Sequence, residues 1–335
     1  MQWMLDQTSG IPLATLPCDR DPGWLKSWLY QLAQRTALTP TRAGDSTGYD
    51  DYPQYRVAAG QRLAPEDVSL RRANEATAVM GARRGLDTAG PLPPMQVSIP
   101  SPLDLAYICL GAPFPLMAHL GVFRQALVDD VEEIHQRFGD EVVFQIETPA
   151  SLIALDQAPR ALAPMVAAFL AGQIVRLITD TPREARWILH LCHGDLNHEP
   201  VVIPRDLSPA VRLVRAVHRR LTSLGEALPR VHVPMCTGTT GPPTEYGFYR
   251  ALAWLPKDVE VIAGLIGEHH PGDSRRALDL AENALGRKVT AVAAACGHGR
   301  RSPAAAADNA ALARELIAAP LRLFASHQKV EGDKR

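Results

Sequence analysis

Neither sign of charge dominates this chain. Lys and Arg together number 35 and Asp and Glu 36, for a formal charge of −1 at pH 7. The basic excess that draws a protein to a phosphate backbone or an anionic membrane is therefore missing, and neither nucleic acid nor membrane is an expected partner. Long apolar runs are missing too. The longest stretches, such as residues 161–175, follow Arg160, are interrupted by Gln173 and fall short of the roughly 20 residues that cross a bilayer. Met1 to Asp6 shows no basic segment leading into an apolar block, so no secretory signal is expected and the protein is expected in the cytoplasm. Cysteine is scarce. Cys18, Cys109, Cys192, Cys236 and Cys296 make an odd, widely spaced set, which suits reduced thiols or metal ligands rather than a disulfide framework.

What is present is enough apolar residue for one large core, 46% of 335 residues. Short apolar runs bounded by turn residues recur, separated by segments of helical period, which is how a parallel sheet with crossover helices reads. The strand candidates are Ile11–Pro17, Gln54–Ala59, Met95–Ile99, Val142–Glu147, Trp187–Cys192, Val231–Cys236, Val259–Leu265 and Thr290–Ala295. Between them fall helix candidates Trp24–Gln34, Leu116–Phe138, Pro164–Thr179, Ala210–Leu224, Arg275–Leu285 and Ala304–Ile317. Repeating strand and helix to eight strands predicts an α/β fold, a (β/α)8 TIM barrel forming a single domain over residues 1–327. Residues 36–94, rich in Gly and Pro, read as an irregular insertion that could cover the site, and residues 328–335 as a solvated tail.

Chemistry gathers where the strands end. His190 and Cys192 are two apart, so both face the same side of their strand, a good metal half-site. Cys236 and Cys296 close two further strands. One imidazole and three thiols at the ends of three strands form a soft ligand set of the kind zinc selects. Such sites gather at the C-terminal end of this fold. Cys18 and Cys109, by contrast, read as core filler. Gly297 to Pro303 opens the last helix, where backbone N–H groups with Arg300 or Arg301 could receive a carboxylate or phosphate.

His190-x-Cys192, followed much later by Cys296-Gly297-His298-Gly299-Arg300, resembles the zinc barrel of cobalamin-independent methionine synthase and its shorter, single-barrel relatives. Gln145-Ile146-Glu147-Thr148-Pro149 is similar to that family's Gln-x-Asp-Glu-Pro strand end, Glu268 and His270 to its Asp-x-His segment, and Pro100-Ser101-Pro102 to its Gly-Pro-x-Thr turn. The resemblance implies a zinc-dependent methyl or alkyl transferase that activates a substrate thiol as a thiolate. His190, Cys192 and Cys296 would be ligands. The family's glutamate ligand falls on Met235, leaving Cys236, Glu245 or Glu268 for the fourth place, with Cys236 the first choice. Glu268 and His270 could relay a proton, although Glu268-His269-His270 also reads as a polar turn. Glu147, Ser101 and Arg300 could bind an amino-acid-like or other small thiol substrate. A corrinoid protein or a methylated pterin could donate the methyl group, and a homodimer could form through exposed barrel helices. Two other readings stay open: a metal-free enzyme of the uroporphyrinogen decarboxylase kind acting on a carboxylated substrate, or a related lyase, and a non-catalytic barrel that binds metal or thiol.

Overall fold

The computed structural model describes residues 1–318 apart from 9, 10, 18, 22, 49, 50, 89, 112 and 197; Cys18 and the predicted tail lie outside the described residues. Among the described residues nine strands are found in chain order: β1 (Leu16–Pro17), β2 (Leu38–Arg42), β3 (Gln54–Val57), β4 (Met95–Pro100), β5 (Val142–Glu147), β6 (Trp187–His190), β7 (Arg230–Pro234), β8 (Val261–Ile266) and β9 (Ala291–Ala294). Seven of them form one parallel sheet in the order β1-β4-β5-β6-β7-β8-β9. Each crossover is long enough to place helices on one face, as parallel pairing requires.

Alternation along the strands divides the apolar residues between two cores. On β5, Val142, Phe144 and Ile146 join the main core between sheet and helices, together with Leu189, Val231, Val233, Ala263 and Leu265 from the neighbouring strands. The other face carries only a small apolar floor, Val143, Ile188 and Ile262, with Ala291 and Ala293 against it. The next residues along that face are polar: Gln145 and Glu147 on β5, His190 on β6 and His232 on β7. The sheet therefore curls around an interior whose floor is greasy and whose upper layer is ionisable.

The helices bury one stripe each. In the helix Ser208–Leu224, Val211, Val214, Val217 and Leu221 are buried while Arg212, Arg215, Arg219 and Arg220 are exposed. Gly225 ends it with φ 69°, a left-handed cap that favours glycine. No helix among the described residues is long and apolar enough to cross a membrane.

This curled seven-stranded parallel sheet is compatible with the expected TIM-like barrel. Among the described residues no pairing joins β1 to β9, although the helices Gln2–Gln7 and Pro303–Ala318 lie against each other. The segment Gln54–Ala59 is not a barrel strand. Its Gln54–Val57 portion pairs antiparallel with β2 in a separate hairpin, with a bulge between Pro40 and Arg42. Pro40 suits such an edge position because it has no N–H to donate. The expected strand Ile11–Pro17 shrinks to two paired residues, since Pro93 and Pro94 precede the partner Met95 and offer no N–H groups. Residues 36–94 are also less irregular than their composition suggests: besides the hairpin they form the helices Pro65–Val68 and Arg72–Arg84, packed on the helix Pro113–Phe138.

Candidate metal centre

Parallel register sets three ionisable residues abreast. Glu147 is the register partner of His190, and His190 of His232. Hydrogen bonds from Ser101 N to Glu147 O at 2.8 Å, and from Leu191 N to His232 O at 3.0 Å, carry the strand geometry past the last assigned residues. Cys192 therefore stays on the inner face, two residues beyond His190. The result is a cluster in which the ligand atoms of Glu147, His190 and Cys192 all lie within 4.8 Å of one another.

Within it, His190 Nε2 lies 3.6 Å from Glu147 Oε2. That is too long for a hydrogen bond. It is close to the roughly 3.4 Å edge that a tetrahedral zinc imposes between a nitrogen and an oxygen ligand, given metal bonds of about 2.0–2.2 Å. Glu147 is further held by Gln145, whose Nε2 donates to Oε1 at 2.6 Å. The donor set of carboxylate, imidazole and thiol fits zinc.

Burial tunes the cluster. His190 is 1% exposed, and desolvation pulls its pKa down to about 4, so its imidazole is neutral and keeps a lone pair for a metal. Burial, and then the charges of Glu147 and Cys296, push the Cys192 thiol well above its ordinary value. Cys296, half-buried after β9 and three strands away in the sheet, is not among the clustered ligand atoms, although its charge acts on Cys192.

The other predicted site residues are placed as follows. Cys236 is half-buried with its pKa pushed up to about 12 by desolvation; its thiol points to Gly264 O at 3.5 Å, and it is not among the clustered ligand atoms. Met235, at the family's glutamate position, is 2% exposed in the main core. Glu268 accepts from Arg301 Nε at 2.7 Å and from Asn309 Nδ2 at 2.9 Å, so both carboxylate oxygens are committed. His270 stands 38% exposed, its Nε2 3.4 Å from Thr239 O and its Nδ1 3.6 Å from Asp273. Ser101 caps the helix Pro102–Leu110, accepting from Asp104 N at 3.2 Å, and contacts the Asp104 carboxyl. The backbone of Arg300 lies in the short turn His298–Arg300; its side chain lies outside the described residues. Cys109 is fully buried in the core with its pKa pushed up to about 12.

Two residues of the centre have roles that the sequence reading did not give them. Glu147, expected to bind substrate, stands in the ligand cluster. His232 was given no role, yet it occupies an inward position between the outward Val231 and Val233, and an inward imidazole on a buried strand is the signal that could have marked it. A cavity of about 370 Å³ lined by Thr15, Val143, Ile188 and Arg230 lies at the opposite, N-terminal ends of the strands and contains none of these groups.

No family model matches the chain, and no curated protein matches it by sequence. Two solved structures align over 94% of it. One, provisionally described as a vitamin-B12 independent methionine synthase from Listeria monocytogenes, shares 14% identity over 83% of its own chain with a TM-score of 0.49. The other, a methyltransferase from Methanosarcina mazei, shares 12% identity over 83% of its chain with a TM-score of 0.47.

Proposed function

We propose that this chain is a zinc-dependent methyl or alkyl transferase of the cobalamin-independent methionine synthase type, with Glu147, His190, Cys192 and Cys296 as the metal-holding residues. The observation that carries the proposal is the 3.6 Å separation of His190 Nε2 and Glu147 Oε2, with Cys192 Sγ in the same group. Glu147 enters from the strand before His190 and replaces the carboxylate that the family places at the position of Met235. Cys236, first choice from sequence, gives way to Glu147.

Zinc bound there would lower the pKa of a substrate thiol and hold it as a nucleophilic thiolate near neutral pH. The chain's own residues prepare for this. His190 is neutral and buried, Glu147 would supply charge, and the thiols of Cys192 and Cys296 would lose their protons on holding a metal, so uptake would release protons. Transfer then forms a sulfur–carbon bond as the bond between the alkyl carbon and the donor's leaving group breaks, the electron pair departing with that group. A methylated pterin or a corrinoid protein is the donor class, and His270 at the exposed rim is the group available to protonate what leaves.

Elemental analysis of protein purified without added metal tests this. We expect about one zinc per chain, lost in His190→Ala and Cys296→Ser. A parent that stays metal-free after incubation with zinc under reducing conditions would remove the proposal.

A further inference from the structure

His232 stands directly beside His190 and makes no direct approach to Glu147 or Cys192 among the contacts described. Its two ring nitrogens are both engaged. Nε2 is 3.1 Å from the carbonyl oxygen of Ala294, reached across β8 on β9. Nδ1 is 2.7 Å from His190 Nδ1. The rings lie 4.6 Å apart and tilted, with 31° between their planes.

These contacts fix the protons in order. A carbonyl oxygen only accepts, so His232 Nε2 carries hydrogen and donates it. The neutral ring then has a bare Nδ1, which can only accept. His190 Nδ1 must therefore donate, and His190 holds its single proton there. What is left on His190 is a bare Nε2, the atom that faces Glu147 Oε2.

We propose that His232 is a positioning residue for the metal centre: anchored on Ala294 O, it accepts the Nδ1 proton of His190 and so presents His190 Nε2 as the ligand atom. This rests on the metal reading above. Imidazole ligands commonly donate their second N–H to a carboxylate, a carbonyl or water, and here a second imidazole takes that place and passes the constraint on to the backbone.

The sheet is shaped to admit it. A Cβ built on Gly264 of β8 would stand 2.6 Å from His232 Nε2, 2.9 Å from Pro234 Cα and 3.0 Å from Val233 O. The imidazole thus crosses β8 over the one position in that strand with no side chain. A packing residue would need no such clearance and no carbonyl at its far end.

Two measurements test the assignment. Long-range proton–nitrogen correlation spectra of the metal-free chain should show His190 as the Nδ1–H tautomer and His232 as the Nε2–H tautomer; the reverse tautomer at His190 would overturn the proposal. Zinc competition against a chromophoric chelator should show His232→Phe binding roughly 10–100-fold more weakly at unchanged stoichiometry, with an altered cobalt(II) absorption spectrum. His232→Gln, whose carbonyl can still accept from His190, should recover most of that affinity, which a purely volumetric role would not predict. Parent-like affinity in the Phe variant, or equal loss in Phe and Gln variants that both stay folded, overturns the positioning role. A parent without zinc overturns the metal reading itself, so the two failures are told apart. If the Phe variant does not fold, the Gln variant and the tautomer spectra still decide.

Discussion

Glu268 and Arg301 form an ion pair at 2.7 Å in which each side chain is only 3% exposed. Asn309 completes the carboxylate, and Arg301 Nη1 reaches the carbonyl oxygens of Cys296 and Gly297 at 3.4 and 3.3 Å. The pair therefore braces the turn that presents Cys296. Removing one partner strands a buried charge, so Glu268→Gln should cost about 3–5 kcal/mol in denaturant unfolding. Burial opposes the charge on Glu268, but the Asn309 and Arg301 hydrogen bonds outweigh it and hold the carboxyl below its ordinary pKa. A depressed acid stabilises above its unfolded pKa and loses that contribution as pH falls through the folded value. The difference between parent and Glu268→Gln should accordingly persist at neutral pH and shrink below about pH 4. A difference that is flat across this range would separate the pair from acid stability.

Asp104 works in the opposite direction. It is buried between Ser101, Ser151 and Ala150 N, and desolvation raises its pKa to about 6 against the pull of those hydrogen bonds. Its folded pKa lies above the unfolded one, so folding is favoured when it is protonated and disfavoured as pH climbs from about 4 to 6. The shift corresponds to about 3 kcal/mol. Asp104→Asn, which keeps the shape and an acceptor for Ala150 N, should gain stability relative to the parent by up to that amount at pH 7 and little at pH 4. Urea midpoints for both proteins at the two pH values measure it; a gain that does not grow with pH would contradict the assignment.

Much of this architecture is legible in sequence, because periodicity reports burial. Val142–Glu147 is read to the residue, and the other strands from β4 to β9 are found with their ends displaced by one or two positions. His190-x-Cys192 is legible because a two-residue period puts both on one face. What escapes is whatever depends on register between strands. Glu147 becomes a neighbour of His190, and His190 of His232, only once the parallel offsets are set. The helices Pro102–Leu110 and Pro149–Asp156 were missed although each carries proline at its first turn after a Ser or Thr, a start signal hidden by their short length. In Arg72–Arg84 the buried residues Ala73, Ala76, Met80 and Arg83 do follow helical spacing, but surrounding glycines and prolines masked it.

Gly264→Ala should report on the crowding around His232. The added methyl group meets backbone as well as the ring, so relaxation cannot come from the imidazole alone. Overpacking of this kind costs about 1–3 kcal/mol. The same variant should bind zinc more weakly, because moving His232 off Ala294 O frees the His190 tautomer. Stability lost without any change in zinc affinity would show that the clearance serves packing only.

The sharpest contrast lies between two thiols, Cys192 and Cys236, whose pKa values desolvation raises. Cys192 Sγ belongs to the cluster with Glu147 and His190, whereas Cys236 Sγ donates to Gly264 O. Serine is nearly isosteric with cysteine but is a poor ligand for zinc, so Cys192→Ser should lose the metal while Cys236→Ser keeps about one zinc per chain. Proton release on zinc addition sharpens the comparison: it should vanish in Cys192→Ser, which takes up no metal, and stay at the parent value in Cys236→Ser. Metal loss from Cys236→Ser with retention in Glu147→Gln would move the fourth ligand to the end of β7 and return Glu147 to the substrate. The carboxylate and the Cys236 thiol compete for one coordination position, and the Cys236→Ser and Glu147→Gln variants decide which holds it.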